Sequence, residues 1–180
     1  MFTELSKAIS QVCTIVSAAP GADCMLYAGI GAEVLNSLGY SAIAVAGSAA
    51  WRIGPGDGDC IAHAMELLPQ ISTVEVRPNS PLVGLFHCWI ESQGTIIDFT
   101  TGSLVMKAKS LDKIDGKHTQ VLWSPDYLLT SEKKLTSLVE VCQGVEIGAH
   151  SYVRHKELES TVFKDANFEL LAVAVLQRLL

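Results

Sequence analysis

Positive charge is scarce in this chain: 13 Lys and Arg stand against 19 Asp and Glu, a net charge of -6, and the cations are scattered. A phosphate-backbone footprint needs them clustered, so nucleic acid is not an expected partner. Long apolar runs are lacking as well. No stretch reaches the roughly 18 residues that span a bilayer, so no membrane partner is expected. The stretch from Met1 to Ala19 has Glu4 and Lys7 where a secretory signal needs a basic start, and Ser10, Gln11, Thr14 and Ser17 interrupt any apolar run. Paired cysteines are missing too. The five cysteines (13, 24, 60, 88 and 142) are odd in number and form no dense framework, which predicts free thiols in a reducing, cytoplasmic setting. Cys60-Ile61-Ala62-His63 has ligand spacing at one end, but a structural zinc site takes four ligands and no second pair exists. Neither a metal nor another cofactor is expected. Gly54-Pro55-Gly56-Asp57-Gly58 lacks the Lys and the strand-to-helix setting of a phosphate loop.

No internal repeat, low-complexity tract or linker divides the 180 residues, and 49% hydrophobic content suffices for one core, so residues 1–180 read as a single domain. Phe2, Leu5, Ile9, Val12, Ile15 and Val16 recur near helical spacing up to Ala19-Pro20-Gly21. A second helix is predicted from Cys24 to about Leu38, with Asp23 as its N-cap and Gly39 closing it. Gly29 and Gly31 weaken that helix by about 1 kcal/mol each relative to alanine, so close backbone packing against a sheet should compensate. From Tyr40 the pattern turns strand-like through Trp51. Arg52 to Asp59 reads as a loop, Cys60 to Leu68 as strand or short helix, and Ile71 to Arg77 as a strand. Lys107 to His118 reads as surface loop or short helix, Val121 to Trp123 as a possible strand, Ser131 to Val141 as a helix, and Val145 to Val153 as a return to the sheet. Asp165 to Leu180 reads as a helix apolar on most of its circumference, suited to burial or to a homo-oligomer contact.

The stretches Leu85 to Ser92 and Thr95 to Thr101 form a predicted β-hairpin around Gln93-Gly94. A two-residue turn pairs Ser92 with Thr95 and makes every cross-strand pair sum to 187. His87, Trp89, Glu91, Ile96, Asp98 and Thr100 then share one face, and Phe86, Cys88, Ile90, Ile97 and Phe99 share the other. The second set is apolar and belongs to a core. In the first, His87 and Asp98 are diagonal neighbours about 7–8 Å apart at the backbone, within reach of an imidazole and a carboxylate. A three-residue turn would separate them.

Cys24 falls in the first turn of the predicted second helix. Free N–H groups there favour a thiolate and supply donors to an attacked carbonyl, whereas the neighbouring Asp23 disfavours the thiolate. The ordinary fate of such a cysteine is a buried, inert thiol. Ala22-Asp23-Cys24 leading into Tyr27-Ala28-Gly29, then Leu38-Gly39-Tyr40-Ser41-Ala42, His87-Cys88-Trp89-Ile90-Glu91 and Ile96-Ile97-Asp98 together resemble the papain-like and transglutaminase-like superfamily of cysteine hydrolases and acyltransferases. That resemblance covers Pro20 to about Thr101. It implies an α+β, papain-like (transglutaminase-like) fold, with a central Cys-bearing helix packed on an antiparallel β-sheet. It also implies Cys24 as nucleophile, His87 as general base and later acid, and Asp98 as the group that orients the imidazole.

The expected function is thiol-dependent hydrolysis or transfer of an acyl group from a small-molecule or peptide amide or ester. Trp51, Trp89 and Tyr27 are candidates for lining an acyl pocket, against the default role of aromatics in a core. No Gln stands between Ala18 and Asp23, so oxyanion stabilisation falls to the Cys24 N–H and a second donor. The rival is a non-catalytic binding protein that keeps the scaffold, and the reactivity of Cys24 separates the two. A redox-sensing thiol, the third reading, needs a resolving cysteine near Cys24.

Overall fold

A computed structural model describes residue 9 and residues 24–63, 86–131 and 136–179. Ile9 is helical and fully buried, whereas the rest of the expected first helix, the Asp23 cap and the strand over 71–77 lie outside the described residues. The first element, α1, is Cys24–Ser37. Its Tyr27, Ala28, Ile30, Gly31, Val34 and Leu35 are buried. A Cβ on Gly31 would lie 2.5 Å from Ile90 and 2.7 Å from Phe99, and one on Gly29 would collide with the Phe168 ring. The two glycines therefore let the sheet side and a later loop approach the helix backbone, so only Gly31 meets the expected packing partner. The helix ends as a Schellman motif. Gly39 sits at φ 85°, its N–H donates to Asn36 O at 3.0 Å, and the Tyr40 N–H donates to Leu35 O at 2.9 Å.

Six strands form one antiparallel sheet: β1 Ala42–Arg52, β2 Cys60–His63, β3 His87–Ser92, β4 Thr95–Asp98, β5 Leu128–Ser131 and β6 His150–Arg154. The hairpin has the expected two-residue turn. Gln93 and Gly94 both take positive φ, 52° and 74°, and the pairs Ile90–Ile97, Glu91–Ile96 and Ser92–Thr95 all obey the sum of 187. β1 pairs with β3 through Ala42–Gly47, with β2 through Ala49–Arg52 and with β6 through Gly47–Trp51. Gly47 is bonded to both β3 and β6, and Ala49 to both β2 and β6. Because a strand has two edges, β2 and β3 lie end to end along one edge of β1, with β6 on the other. That arrangement brings His63, opposite Ala49, close to His87, opposite Gly47.

The sheet is covered on both faces, which explains why β1 is nearly all buried and built from small residues. On one side α1, Cys88, Ile90, Ile97 and Phe99 meet Ala172 and Val175 of α5, Glu169–Leu179. On the other, Trp51, Trp89, Ile96 and Tyr152 meet Leu104 and Ala108 of α2, Leu104–Asp115, which follows the 3-10 turn Thr101–Ser103. Two short helices, α3 (Leu138–Gln143) and α4 (Lys156–Val162), flank β6.

One expectation left open between loop and helix is decided, and three others are corrected. Lys107 to His118 is largely helix, because Leu104 and Ala108 give α2 an inward face. Ser131 to Val141 is split between β5 and α3, which starts only after Ser137. There the Ser137 side chain and Glu140 form a capping box. Val121 to Trp123 is not a strand, although the N–H groups of Leu122 and Trp123 donate to Ile53 O. The last helix starts at Glu169 and lies against α1, with Leu170 and Val173 left exposed. Among the described residues no helix is long and apolar enough to cross a membrane.

Candidate active site

The first residue of α1, the first of β3 and the last of β4 meet: Cys24, His87 and Asp98. His87 and Asp98 are each 1% exposed, and His87 Nε2 donates to Asp98 Oδ2 at 2.9 Å. The hairpin register that the sequence predicts is the reason they meet. The carboxylate is saturated with donors. Oδ1 accepts from the Thr100 N–H at 2.8 Å and the Thr100 hydroxyl at 2.7 Å, and Oδ2 also accepts from the Tyr152 hydroxyl at 2.7 Å. Tyr152 in turn accepts from Trp51 Nε1 at 2.9 Å. Four hydrogen bonds leave Asp98 fixed in place and anionic. Burial pushes its pKa up, but the His87 charge and hydrogen bond, with the Thr100 donors, hold it below the usual carboxylate range.

The same logic applies to His87. Burial favours the neutral ring, yet the Asp98 charge and hydrogen bond, joined by the bond and charge of Cys24, push its pKa up to about 9. With Nε2 committed to Asp98, Nδ1 is the nitrogen left for the thiol. Cys24 is half-buried, as access for a reactant requires. The Cys88 thiol donates to its sulfur, and despite opposition from burial that bond, the bond and charge of His87 and the Cys88 N–H hold the Cys24 pKa well below the ordinary thiol range. Cys88 is pushed up by its bond to Cys24 and by burial, so it remains a neutral donor. An imidazolium beside a thiolate, oriented by a buried carboxylate, is the arrangement that acyl transfer through sulfur requires.

The other sequence candidates divide. Trp51 meets His87 edge-on at 4.9 Å between ring centroids, and Trp89 stacks on it at 6.4 Å. Both are buried, so they form a dry jacket around the imidazole. Tyr27, one turn along α1 from Cys24, is buried in the core on the helix side of the sheet. Cys60 and His63 do not act together: the Cys60 thiol donates to Cys142 at 3.2 Å, whereas the His63 ring stacks on His87 at 5.8 Å. Positions i and i+3 on a strand face opposite ways, so the spacing that suits a ligand pair on a turn separates them here. Among the described residues no group of three or more His, Cys, Asp or Glu is placed to hold a metal.

The loop after β1 is pinned. Arg52, 2% exposed, donates to the carbonyls of Gly56 at 2.7 Å and of Asp57 and Cys142 at 3.4 Å, and the Gly56 N–H donates to the Asp59 carboxylate.

Sequence reasoning missed five contributors, one of them Cys88, which it assigned to the apolar core face. Thr100 shares the predicted face, and its place two residues after Asp98 was the available signal. Tyr152 comes from 54 residues downstream of Asp98, with no local signal. His63 arrives through the end-to-end alignment of β2 and β3. Lys107 is turned inward from α2, its Nζ 3.4 Å from His63 Nε2 and 5.6 Å from the Trp51 ring centroid.

The fold is similar to the crystal structure of a genomics target, with a TM-score of 0.61 and 16% sequence identity over 96% of this chain and 75% of that one. No curated protein matches the sequence. A family model described as protein of unknown function, DUF2026, matches residues 2–122, and the chain belongs to that family.

Proposed function

We propose that the protein is a thiol-dependent hydrolase or acyltransferase acting on an amide or ester carbonyl, on a scaffold of the papain-like and transglutaminase-like type. The observation that carries this reading is the buried His87–Asp98 pair with the half-buried Cys24 thiol bonded to the same imidazole. The Cys24 thiolate adds to the carbonyl carbon, and the electron pair moves onto oxygen. As the tetrahedral adduct collapses, imidazolium His87 gives its proton to the departing amine or alcohol, leaving a thioester on Cys24 and a neutral ring. His87 then takes a proton from water or an acceptor amine as that nucleophile attacks the thioester. The acyl group leaves as acid or new amide, and thiolate and imidazolium are restored. Asp98 holds the ring throughout and stabilises its charged form. A reducing, cytoplasmic setting suits a protein that needs Cys24 as thiolate.

Trapping tests this directly. After brief exposure of the full chain to p-nitrophenyl acetate and an acid quench, the peptide bearing Cys24 should carry one acetyl group, and Cys24→Ala should carry none there. Acetylation spread evenly over other cysteines and lysines would contradict the proposal.

A second reading is favoured by one contact, the Cys88 thiol bonded to Cys24. Peroxide would oxidise the Cys24 thiolate to a sulfenic acid, and Cys88 would attack it, expelling water and leaving a disulfide. A Cys24–Cys88 linked peptide after mild hydrogen peroxide supports that redox role, and stable sulfenic or sulfinic acid on Cys24 with Cys88 still reduced excludes it.

A further inference from the structure

Away from the triad the fold brings a second pair of thiols together. Cys60 opens β2 and Cys142 lies in the last turn of α3, 82 positions apart, yet the Cys60 thiol donates to the Cys142 sulfur at 3.2 Å. The two side chains pack around Ala50, Leu138 and Val141, apart from the core that takes up Cys24 and Cys88. Both are half-buried, so a small oxidant can reach them. The buried Arg52 donates to the Cys142 carbonyl at 3.4 Å, which sets its guanidinium beside the pair. The bond from Cys60, opposed by burial and helped by the Arg52 charge, holds the Cys142 pKa below the ordinary thiol range. Cys60 is pushed up by the same bond and by burial, so it keeps its proton. A partly exposed thiol inclined to ionise, beside a cation and in contact with a neutral thiol, has the surroundings of a cysteine that oxidises selectively. A disulfide requires the two sulfurs to close to about 2.05 Å, a shift of about 1 Å from their present separation, which small rotations of the two side chains supply.

We propose that Cys60 and Cys142 are an oxidation site at which hydrogen peroxide forms a disulfide that ties β2 to α3. The Cys142 thiolate attacks one peroxide oxygen, the O–O bond breaks, and the departing hydroxide takes up a proton as water, leaving a sulfenic acid on Cys142. The Cys60 sulfur then attacks that sulfenic sulfur. The S–S bond forms as the S–O bond breaks, and the hydroxide leaves as water with the Cys60 proton. Two thiols lose two electrons in all, and one peroxide is reduced to two waters. In sequence the pair encloses His87 and Asp98, so the bond closes a loop that carries two of the three triad residues and restricts the unfolded chain. Oxidation thus stabilises the fold that holds the site. The inference does not depend on Cys24 being a nucleophile.

Peptide mapping tests it on the full chain. Reduced protein freed of reductant is treated with a few equivalents of hydrogen peroxide, and the remaining thiols are blocked with N-ethylmaleimide. The monomer is then digested without reduction by chymotrypsin, which separates Cys60 from Cys88. A peptide linking Cys60 to Cys142 should appear, and it should vanish with dithiothreitol. In Cys24→Ala, where no Cys24–Cys88 bond can form, the oxidised protein should melt about 5–15 °C above the reduced one. Adding Cys142→Ala should abolish both the link and the rise. Cys60 and Cys142 left as thiols, Cys142 carried on to sulfinic acid with Cys60 free, or either cysteine linked elsewhere overturns the proposal. A link with no rise in melting temperature overturns the stabilising tie. Should Cys24→Ala not fold, the map of the wild-type chain, with and without dithiothreitol, decides.

Discussion

Replacing Asp98 by asparagine removes a charge while nearly preserving shape, and the structure gives the size of the response. In the native chain His87 is raised from 6.5 to about 9, although burial alone pushes it the other way. That rise corresponds to about 3 kcal/mol favouring the imidazolium. In Asp98→Asn the opposing charge is gone and burial is left largely unanswered, so His87 should titrate below 6.5. The amide also presents a donor where the carboxylate accepted from His87 and Tyr152, which disturbs the ring's orientation. The ratio of imidazolium to neutral imidazole should fall by more than about two orders of magnitude, so that at neutral pH the imidazolium drops from nearly all of the population to about a quarter or less, and the Cys24 thiolate falls with it. The assay is a pH titration of the His87 ring by NMR, with the His87→Ala spectrum fixing the assignment. Breaking a buried pair also costs about 3–5 kcal/mol of stability, so a denaturant melt defines the range in which the variant is folded. If His87 in folded Asp98→Asn still titrates near 9, the carboxylate does not set the imidazole's charge, and the reasoning fails.

Stability should follow the same two groups. The raised His87 contributes stability that is complete below 6.5 and lost as pH rises through about 9, while the lowered Asp98 contributes stability present above the usual carboxylate range and lost as pH falls below it. The lowered Cys24 gains stability as pH rises over the same interval and offsets this loss in the native chain, so the decline is read in Cys24→Ala, whose melting temperature should fall as pH rises above neutral; an increase there contradicts the assignment. Tyr152→Phe deletes the hydroxyl between Trp51 and Asp98 and should lower unfolding free energy by about 1–3 kcal/mol in a urea melt, with no change as the contrary result. Gly31→Ala gains about 1 kcal/mol of helix propensity but forces a methyl against Ile90 and Phe99, a cost of about 1–3 kcal/mol. A net loss of stability is expected, and a stabilised variant would show that α1 does not pack this closely on the sheet.

The parts of the site legible in the sequence are those written in local chemistry. Gln93-Gly94 between alternating strands dictates a two-residue turn with both residues at positive φ, and that turn alone fixes which face His87 and Asp98 occupy. Gly39 likewise ends α1 where the sequence says it should, and Cys24 begins it. What escaped reading depends on long-range placement. β2 and β3 share one edge of β1, so His63 stacks on His87 from 24 positions away without any pattern in the intervening residues to announce it. Lys107 sits in a stretch so polar that it reads as surface, yet Leu104 and Ala108 turn its helix toward the sheet. Cys88 reads as core because its strand parity is apolar; its contact with Cys24 arises only because α1 begins over the start of β3.

The central claim is that Cys24 and His87 act as one thiolate–imidazolium unit. It is tested most directly by the pH dependence of iodoacetamide alkylation at Cys24, read by peptide mass spectrometry in the wild type and in His87→Ala. Cys24 should be the fastest cysteine to react, stay reactive well below the pH at which an ordinary thiol loses its proton, and move toward ordinary thiol behaviour when His87 is removed. A Cys24 that is unreactive, or whose profile is the same with and without His87, would contradict the account.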